Sequence, residues 1–439
     1  MTNFQALEII YTFETVKNIA YLVQIKQAMI PESSTPNKEP LTEQAEGIFR
    51  FACQWLARGQ IEKAIAWYEK VLELQPDHLQ AAIHLSHLQQ QQNWSKLQSP
   101  AALLENPDSK LNLSGQKFFV AHRCGWSFAI HALKPLHNSQ GIVFDGFLED
   151  SFLRQERQSG QAKAPYTQPW VGFLHNPPTM PTWFYYRDSP QVLFTRDNWL
   201  KSLESCVGLF TLTEYHARWL RERVNKPVSA LIHPTEIPDI QFSFDRFIAN
   251  PHKKIIQLGW WLRRLISIYE LPIARNNSLG YEKIKLNPAF CPDAETELQR
   301  LVAEQIEVEG ITLDPVFVEN TRDLTHVSNQ EYDEFLSVNI AFIHLYDTSA
   351  NTAVIECIAR ATPLLVNPLP AVVEYLGENY PLYFHTLAEA AEKAMDIECI
   401  RQAHEYLKGC ETRQKLSAEY FLQSFQESEV YRQVQLSCS

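Results

Sequence analysis

One stretch says most about the fold of this chain: Ser349-Ala-Asn-Thr-Ala-Val-Ile-Glu-Cys-Ile-Ala-Arg-Ala-Thr-Pro-Leu-Leu-Val-Asn-Pro-Leu-Pro-Ala-Val-Val-Glu-Tyr-Leu-Gly377. We predict that it forms a helix, a short turn, a buried strand and a proline-rich loop. The helix is largely apolar with one carboxylate, Glu356, and Thr362-Pro363 ends it because proline cannot continue a helix. The run Leu364-Leu-Val366 is short enough for a strand buried on both faces. A lone acid at the start of such a helix, beside the carboxyl ends of parallel strands, lies where α/β proteins bind ligands.

Length and composition indicate a globular protein of several domains. The chain has 439 residues, which is enough for two or three domains. It is 45% hydrophobic and 21% charged, which is typical of folded rather than disordered chains. The net charge of −12 argues against a general nucleic-acid binder, because no basic excess is available to neutralise phosphates. A local basic patch for one diphosphate remains compatible with this charge.

The sequence predicts neither a membrane anchor nor a metal site. No apolar run approaches the roughly 20 residues that a membrane helix needs. The N-terminus carries Glu8 and Glu14 instead of a basic start before an apolar core, so a signal peptide is not expected. The eight cysteines form no Cys-x-x-Cys pair and no zinc-type spacing with histidine. We therefore expect the thiols to be reduced and the protein to be cytoplasmic. It would lie either free in the cytoplasm or peripherally at the inner membrane face.

Residues 1–105 are predicted to form a helical region. Apolar residues recur at helical spacing over 1–32. Residues 45–78 resemble one tetratricopeptide unit, with Gly59 at a turn between two helices and Pro76 ending the second. The pattern of the next unit is lost before the unit is complete. Because a stack needs about three repeats to bury its core, this region must pack against another part of the chain. It is either an arm that binds a partner or acceptor, or a helical cap, and both interpretations stay open.

From Leu111 onward, short apolar runs alternate with amphipathic stretches, which is typical of parallel sheets covered by helices. We predict a first α/β domain over residues 111–248 and a second over 249–439. The predicted strands are Lys117–His122, Gly141–Phe144, Trp170–His175, Val207–Thr213, Val228–His233, Lys254–Leu262, Val338–Leu345 and Pro363–Val366. From Ile400 to the end we predict a long helix that crosses back onto the first α/β domain.

These features resemble the GT-B class of glycosyltransferases, in particular its large group with a retaining donor domain (glycosyl transferases group 1). The resemblance covers roughly residues 115–425 and is strongest at 349–377. It implies two Rossmann-like domains facing across a cleft, here preceded by the helical region. It implies transfer of a sugar from a nucleotide-diphosphate donor to a hydroxyl acceptor, in glycan or protein glycosylation, with retention of configuration. No Asp-x-Asp lies at a strand end, so no metal is expected, and the nucleotide-sugar is a co-substrate with no further cofactor.

Three residues near this motif carry over from the resemblance as donor contacts. Glu356 would bind the donor ribose or sugar hydroxyls, because a carboxylate accepts two hydrogen bonds from a diol. Its plainer interpretation is an acid stabilised by the helix dipole. The second acid of the family, eight residues earlier, is replaced by Thr348, and Asp347 is the candidate substitute near the transferred sugar. Asn351 would contact the sugar or phosphate, or only cap the following helix.

Basic residues after the strand at Lys254–Leu262 would hold the diphosphate. Arg263 and Arg264 match the position of a basic residue in the resembled enzymes, and a guanidinium can stabilise the leaving anion without a metal. A surface arginine pair is the alternative. Lys283 or Lys285 could add a second charge. Glu374 resembles part of the loop under the donor base, where it would contact the donor or only anchor the loop.

Acceptor-side candidates follow two strands of the first α/β domain. His175 ends a predicted strand, where ligands bind in α/β proteins. The resemblance implies that it faces the cleft and positions the sugar or the acceptor. Arg123, Gly125 and Trp126 match the loop that borders the acceptor, and Gly125 would let that loop approach a ligand closely.

Other classes of enzyme are disfavoured by spacing, since the sequence has no Gly-x-Ser-x-Gly elbow, no His-Glu-x-x-His and no Walker loop. The rival hypothesis is a non-catalytic glycosyltransferase-like scaffold that recruits a protein partner through residues 1–100. A third is an enzyme that modifies proteins, with the helical arm gripping the polypeptide acceptor.

Overall fold

The computed structural model of the chain describes residues 39–57, 61–76, 78, 80–82, 84, 85, 88, 105–116, 124–287, 294–325, 327 and 329–437. The chain divides into two compact units. The first unit combines Met1–Asn93 with Ala289–Thr312, and the second combines Trp94–Pro288 with Leu313–Ser439. The predicted helix over 1–32 and the predicted strand Lys117–His122 lie outside the described residues.

Strands and helices alternate through most of the described chain. The strands are β1 (Leu111–Asn112), β2 (Ile142–Asp145), β3 (Trp170–Phe173), β4 (Cys206–Thr211), β5 (Val228–Ala230), β6 (Lys254–Leu258), β7 (Glu282–Asn287), β8 (Thr321–Thr325), β9 (Ile340–Ile343) and β10 (Leu364–Val366). The helices are α1 (Glu39–Ala57), α2 (Ile61–Leu74), α3 (Trp126–Leu133), α4 (Gln155–Ser159), α5 (Pro190–Leu193), α6 (Asp197–Ser205), α7 (Glu214–Arg221), α8 (Phe244–Ala249), α9 (Ser267–Glu270), α10 (Ala294–Glu309), α11 (Pro315–Glu319), α12 (Asn329–Ser337), α13 (Thr352–Arg360), α14 (Pro370–Leu376), α15 (Leu387–Met395), α16 (Ile397–Gly409), α17 (Glu411–Gln414), α18 (Ala418–Glu427) and α19 (Glu429–Ser437). Short 3-10 or π-helical turns lie at Lys134–Leu136, Asp150–Arg154 and Tyr186–Asp188. None of the helices in the described part of the chain has both the length and the apolar character needed to cross a membrane.

In the first unit, α1 and α2 pack through small and aromatic side chains. Ala45 and Ala64 are fully buried, so the two helix backbones can approach closely. Tyr68 of α2 packs against Phe49 of α1, with ring centroids 5.7 Å apart. Two helices therefore form where the sequence predicts them over 45–78. Their assignment as a tetratricopeptide unit stays a prediction.

The first sheet of the second unit is parallel, with strand order β1-β2-β3-β4-β5. All four residues of β3 are buried, as expected when helices cover both faces of a parallel sheet. Three observed strands, β3, β4 and β5, end two or three residues before their predicted ends. β3 stops at Phe173 and β5 at Ala230, so His175 and His233 lie in loops at the carboxyl edge of the sheet.

The C-terminal helices return to this first sheet, as the sequence predicts. Phe425 of α18 stacks on Phe210 of β4, with ring centroids 4.7 Å apart and planes 22° apart. The prediction of one long helix from Ile400 is wrong, because the chain breaks into α16, α17, α18 and α19. A break precedes α18, where the Ser417 side chain accepts the Tyr420 N–H and starts a new helix.

The second sheet is also parallel, with strand order β8-β7-β6-β9-β10. Counted along the chain this is 3-2-1-4-5, which matches five strands of the classic Rossmann order 3-2-1-4-5-6. The order reverses between β6 and β9, where Gln257 lies opposite Phe342. Loops leaving the carboxyl ends of such strands form the crevice in which open α/β sheets bind ligands. The prediction of α/β architecture with two parallel sheets is confirmed.

Candidate functional site

Arg263 lies in the loop after β6, with its guanidinium folded back on that loop. Its Nε donates to the Leu258 carbonyl at 3.2 Å and its Nη1 to the Trp261 carbonyl at 2.6 Å. Gly259 permits this fold, since a Cβ there would fall 2.9 Å from Nη2 and its φ is +72°. Burial lowers the pKa of Arg263 to about 10, partly opposed by nearby Glu356, so the side chain remains a cation near neutral pH.

Asn351 joins the loop after β6 to the helix after β9. Its Oδ1 accepts a hydrogen bond from Nη2 of Arg263 at 3.0 Å. The same oxygen accepts the Val354 N–H at 3.2 Å and thereby caps α13. The capping role is therefore real, and it coexists with a contact to the candidate diphosphate arginine. A buried cation and the N-terminus of a nine-residue helix lie together at the point where the strand order reverses, and both favour an anion.

Glu356 lies inside α13, and the prediction that it starts the helix is wrong, because α13 begins at Thr352. The side chain is only 4% exposed, and its Oε2 accepts the Tyr332 hydroxyl at 2.7 Å. Burial, and then the Glu356 charge, raise the pKa of Tyr332 well above its ordinary value, which keeps that hydroxyl a donor. One turn on, Arg360 pairs with Asp333 at 2.5 Å between Nη2 and Oδ1. Glu356 therefore belongs to a buried polar cluster beside Arg263.

The other basic candidates, Arg264, Lys283 and Lys285, contact α9 or the residue after it instead of Asn351. Arg264 forms a salt bridge with Glu270 and a 3.1 Å hydrogen bond to Ser267 Oγ, both in α9. Lys283 donates to the Tyr269 and Leu271 carbonyls at 3.0 and 3.2 Å, and burial lowers its pKa to about 8. The structure thus separates the arginine pair and brings Arg263, not Arg264, to Asn351. Lys285, two residues along β7, has its Nζ 3.4 Å from the hydroxyl of Tyr269 in α9.

His175 lies just beyond β3 and meets one of the predicted acceptor-side residues. Its ring packs edge-on against Trp126 at 4.6 Å and against Phe147 at 4.4 Å. Nε2 lies 2.8 Å from the Gly146 carbonyl, which can only accept, so Nε2 carries the proton and Nδ1 is the acceptor. Burial lowers the pKa of His175 to about 3, so the ring is neutral at physiological pH. Gly125 is the N-cap of α3 beside Trp126, whereas Arg123 lies outside the described residues.

Glu149 is a site residue that sequence reasoning missed. It is fully buried, and its Oε1 accepts the backbone N–H groups of His175 at 2.8 Å and Asn176 at 2.7 Å. Its Oε2 has no hydrogen-bond partner among the described residues. Burial raises the pKa of Glu149 to about 7. An acid a few residues after a strand was the available signal, but its link to a loop 26 residues away is visible only in three dimensions.

Asp347 joins the two α/β halves. Its Oδ2 accepts the Thr179 backbone N–H at 2.8 Å and lies 3.3 Å from the Tyr215 hydroxyl, while Oδ1 accepts the Thr348 N–H at 2.8 Å. Burial raises the pKa of Asp347. Thr179 follows the His175 loop, so this contact brings the loops after β3 and β9 together. The two sheets thus meet at their carboxyl edges.

Glu374 makes a second link between the halves. The prediction of a loop at this position is wrong, since Glu374 lies in α14. Its carboxylate accepts the backbone N–H groups of Glu214 at 2.5 Å and Tyr215 at 3.0 Å, at the N-terminus of α7. The Tyr375 hydroxyl donates to the Leu212 carbonyl at 2.8 Å. Glu374 therefore anchors α14 to the first sheet's domain, which agrees with the plainer of its two interpretations.

The described residues contain no group of three or more His, Cys, Asp or Glu side chains placed to hold a metal ion.

The sequence matches no protein-family model and no curated protein. Three solved structures are similar to this chain in fold. Sucrose-phosphate synthase from Thermosynechococcus elongatus is 11% identical, covers 68% of this chain and 74% of its own, and has a TM-score of 0.46. A TarM variant from S. aureus, in complex with UDP among other ligands, is 12% identical. The match covers 69% of this chain and 58% of the TarM chain, with a TM-score of 0.45. α,α-Trehalose-6-phosphate synthase from Burkholderia multivorans is 12% identical. The match covers 71% of this chain and 76% of the synthase chain, with a TM-score of 0.43. One fold can carry many functions, so the chemistry of this chain is inferred from its own site residues.

Proposed function

We propose that this chain is a GT-B-type glycosyltransferase that moves a sugar from a nucleotide-diphosphate donor to a hydroxyl acceptor. One observation carries the proposal. The Arg263 guanidinium contacts Asn351 at 3.0 Å, at the point where the strand order of a Rossmann-like sheet reverses. Such a point is where nucleotides bind in open α/β sheets.

Arg263 would hold the diphosphate leaving group. It is a buried cation beside the N-terminus of α13, so two sources of positive potential converge on one place. Charge of this kind is most effective in a water-poor site, where it stabilises the negative charge that develops on the leaving phosphate. Because the guanidinium can do this alone, the proposed mechanism uses no metal. Asn351 keeps Arg263 oriented toward α13.

Glu356 and His175 would bind the sugar side of the donor. Glu356 can accept further hydrogen bonds from ribose or sugar hydroxyls while Tyr332 occupies Oε2. His175 is neutral, and its Nδ1 can accept a hydrogen bond from a sugar or acceptor hydroxyl. Its ring is fixed by Trp126 and by the Gly146 carbonyl. His175 would therefore position a hydroxyl of the sugar or acceptor without changing its own charge.

Asp347 would act as a positioning residue in this proposal. Both of its oxygens already face donors from the two loops that it connects. Holding these loops together would close the crevice and exclude water from a donor that hydrolyses easily. Retention of configuration, which the sequence resemblance implies, remains part of the proposal. So does a glycan or protein acceptor.

Binding of a nucleoside diphosphate tests the proposed donor site. Thermal unfolding would be followed with UDP, GDP, ADP, dTDP and CDP, for the unmodified chain and for Arg263→Ala, Arg263→Lys and Arg264→Ala. A ligand at about a hundredfold excess over its Kd stabilises a fold by about 2.7 kcal/mol. We expect a selective shift that is lost in Arg263→Ala, weakened in Arg263→Lys and kept in the matched control Arg264→Ala. No shift with any of the five diphosphates would contradict the proposal.

The scaffold hypothesis is favoured by one specific observation. Thr348 stands where the resembled enzymes carry an acid, and the neighbouring Asp347 is used to join the two halves. A scaffold of this kind could bind the nucleotide and catalyse no transfer. Release of nucleoside diphosphate from a sugar nucleotide therefore separates the two functions, whereas binding alone does not. A protein partner for residues 1–100 and a cytoplasmic location remain predictions.

A further inference from the structure

Aromatic side chains gather where loops follow β3, β6 and β9 in the second unit. We call them the aromatic shelf: Trp183, Phe184, Tyr185, Trp260, Trp261 and Tyr346. The Tyr185 ring centroid lies 5.8 Å from that of Trp260 and 5.3 Å from that of Trp261. Trp183 meets Tyr346 edge-on at 5.7 Å. Loops of both sheets therefore contribute to one aromatic surface.

The shelf is not ordinary core. Phe184 is fully buried and supports the others, whereas Trp183, Tyr185, Trp260, Trp261 and Tyr346 are half-buried and keep part of their ring surface exposed. Half-exposed tryptophan and tyrosine rings are costly to leave in water and are common where a ligand covers them.

The backbone beneath the shelf is held in a rare conformation. Tyr185 has φ +47° and ψ +32°, and Leu262, directly after Trp261, has φ +54°. Residues with side chains rarely adopt this left-handed region, and such strain concentrates at ligand sites. The third non-glycine residue of this kind in the described ranges is Ala361, which ends α13, where the conformation is common.

The shelf is continuous with the proposed catalytic crevice on both sides. Trp261 accepts a hydrogen bond from Arg263 through its carbonyl, and its ring lies 5.4 Å from the Arg154 guanidinium. Arg154 also faces Phe147 at 5.1 Å, and Phe147 packs against His175 at 4.4 Å. A molecule lying on the shelf would therefore reach the groups assigned to transfer.

We propose that the aromatic shelf binds a pyranose ring of the acceptor, so that the acceptor is a saccharide rather than a polypeptide. This inference rests on the proposed glycosyl transfer. A pyranose presents a face of C–H groups, which suits the electron-rich faces of tryptophan and tyrosine. Its hydroxyl edge meets polar groups at the rim of the shelf, among them Arg154. The hydroxyl that accepts the sugar would then lie on the His175 side.

Saccharide binding to the full chain tests this inference. The probes are maltotriose, cellotriose, mannotriose and chitotriose, with binding followed by saturation-transfer NMR of the sugar protons. Stacking uses a C–H face that all four share, so at least one should bind. Trp260→Ala should weaken that binding on the order of tenfold, as expected for a central aromatic contact, and Trp183→Phe should largely keep it. Trp219→Ala, a half-buried tryptophan outside the shelf, is the matched control and should bind normally.

The nucleotide shift of the previous experiment is measured on the same variants. A normal shift together with lost saccharide binding in Trp260→Ala supports the shelf as an acceptor site. A normal shift with no saccharide binding by the unmodified chain overturns the shelf and leaves the donor proposal intact. A nucleotide shift that is lost in Trp260→Ala, with saccharide binding unchanged, also overturns it, because the rings would then stack on the nucleobase.

Discussion

The Oδ2 atom of Asp347 accepts a 2.8 Å hydrogen bond from the backbone N–H of Thr179. Asp347 follows β9 of one parallel sheet, and Thr179 lies in the long loop after β3 of the other. Together with the link from Glu374 to α7, this contact brings the carboxyl edges of the two sheets together, and the candidate site is built around this junction. The residues that meet there come from distant parts of the chain, which is typical of sites at the carboxyl ends of parallel strands.

Removing the Asp347 carboxylate should loosen this junction. Asp347→Ala is expected to lower the free energy of unfolding by about 1–3 kcal/mol, because hydrogen bonds to a carboxylate contribute more than neutral ones. Asp347→Asn keeps an oxygen that can accept the Thr179 N–H, so its loss should be smaller. Denaturant unfolding of both variants measures the difference. Equal stability of Asp347→Ala and the unmodified chain would show that the junction contributes nothing.

Glu149 should make stability depend on pH. Burial raises its pKa from its ordinary 4.5 to about 7 in the folded chain. The folded state therefore favours the protonated carboxyl, and this stabilisation is fully present below pH 4.5 and is lost as pH rises through about 7. Its size is at most about 3–4 kcal/mol, since one pKa unit corresponds to about 1.4 kcal/mol.

The variant Glu149→Gln should remove that pH dependence, because its amide oxygen can still accept the His175 and Asn176 N–H groups but does not ionise. Unfolding by urea, compared between the two chains at several pH values, measures it. The unmodified chain should lose stability relative to Glu149→Gln on going from about pH 5 to about pH 8. The exposed Glu405→Gln is the matched control. A constant difference across this range would contradict the assignment.

His175 should stay neutral and keep one tautomer. Burial lowers its pKa to about 3, and the Gly146 carbonyl fixes the proton on Nε2. Long-range imidazole 1H–15N spectra should show the Nε2–H form, unchanged between about pH 5 and about pH 8. In the unfolded chain the same ring should titrate near its ordinary pKa of about 6.5. Titration in the folded chain near that value would remove the basis for a neutral positioning role.

The C-terminal helices should be essential to the first sheet. Phe425 stacks on Phe210 and is fully buried, so Phe425→Ala is expected to cost about 3–5 kcal/mol. Leu436→Ala, at a side chain 67% exposed in α19, should change stability by less than about 0.5 kcal/mol. Denaturant unfolding measures both. Similar small effects would indicate that α18 is a loosely attached tail.

Much of the fold follows from local patterns. Apolar runs such as Leu364–Val366 and Trp170–Phe173 are buried on both faces, and the sequence predicts them because burial requires continuous hydrophobicity. β7 was missed because Lys283 and Lys285 interrupt its apolar character. Both lysines are nevertheless buried against α9, with carbonyl or hydroxyl oxygens of α9 and Leu271 as neighbours. Long-range partners of this kind leave no local signal.

The candidate site was predictable in residue type but not in geometry. Sequence spacing places Arg263 and Arg264 side by side, yet only Arg263 reaches Asn351, because the backbone turns at Gly259 and Leu262. Glu149 supports the His175 loop from a different element, and no periodicity connects the two. Side-chain direction and contacts between elements depend on tertiary packing, which a single sequence does not show.

The most direct test of the proposed function is release of nucleoside diphosphate from sugar nucleotides by the purified full chain. Donors of each base that binds would be supplied with and without the four trisaccharides. We expect release by the unmodified chain and by Arg264→Ala, and a loss on the order of a hundredfold in Arg263→Ala, the size expected when one group that stabilises developing negative charge is removed. A chain that binds the nucleoside diphosphate but releases none from any sugar nucleotide would contradict the account and identify a non-catalytic scaffold.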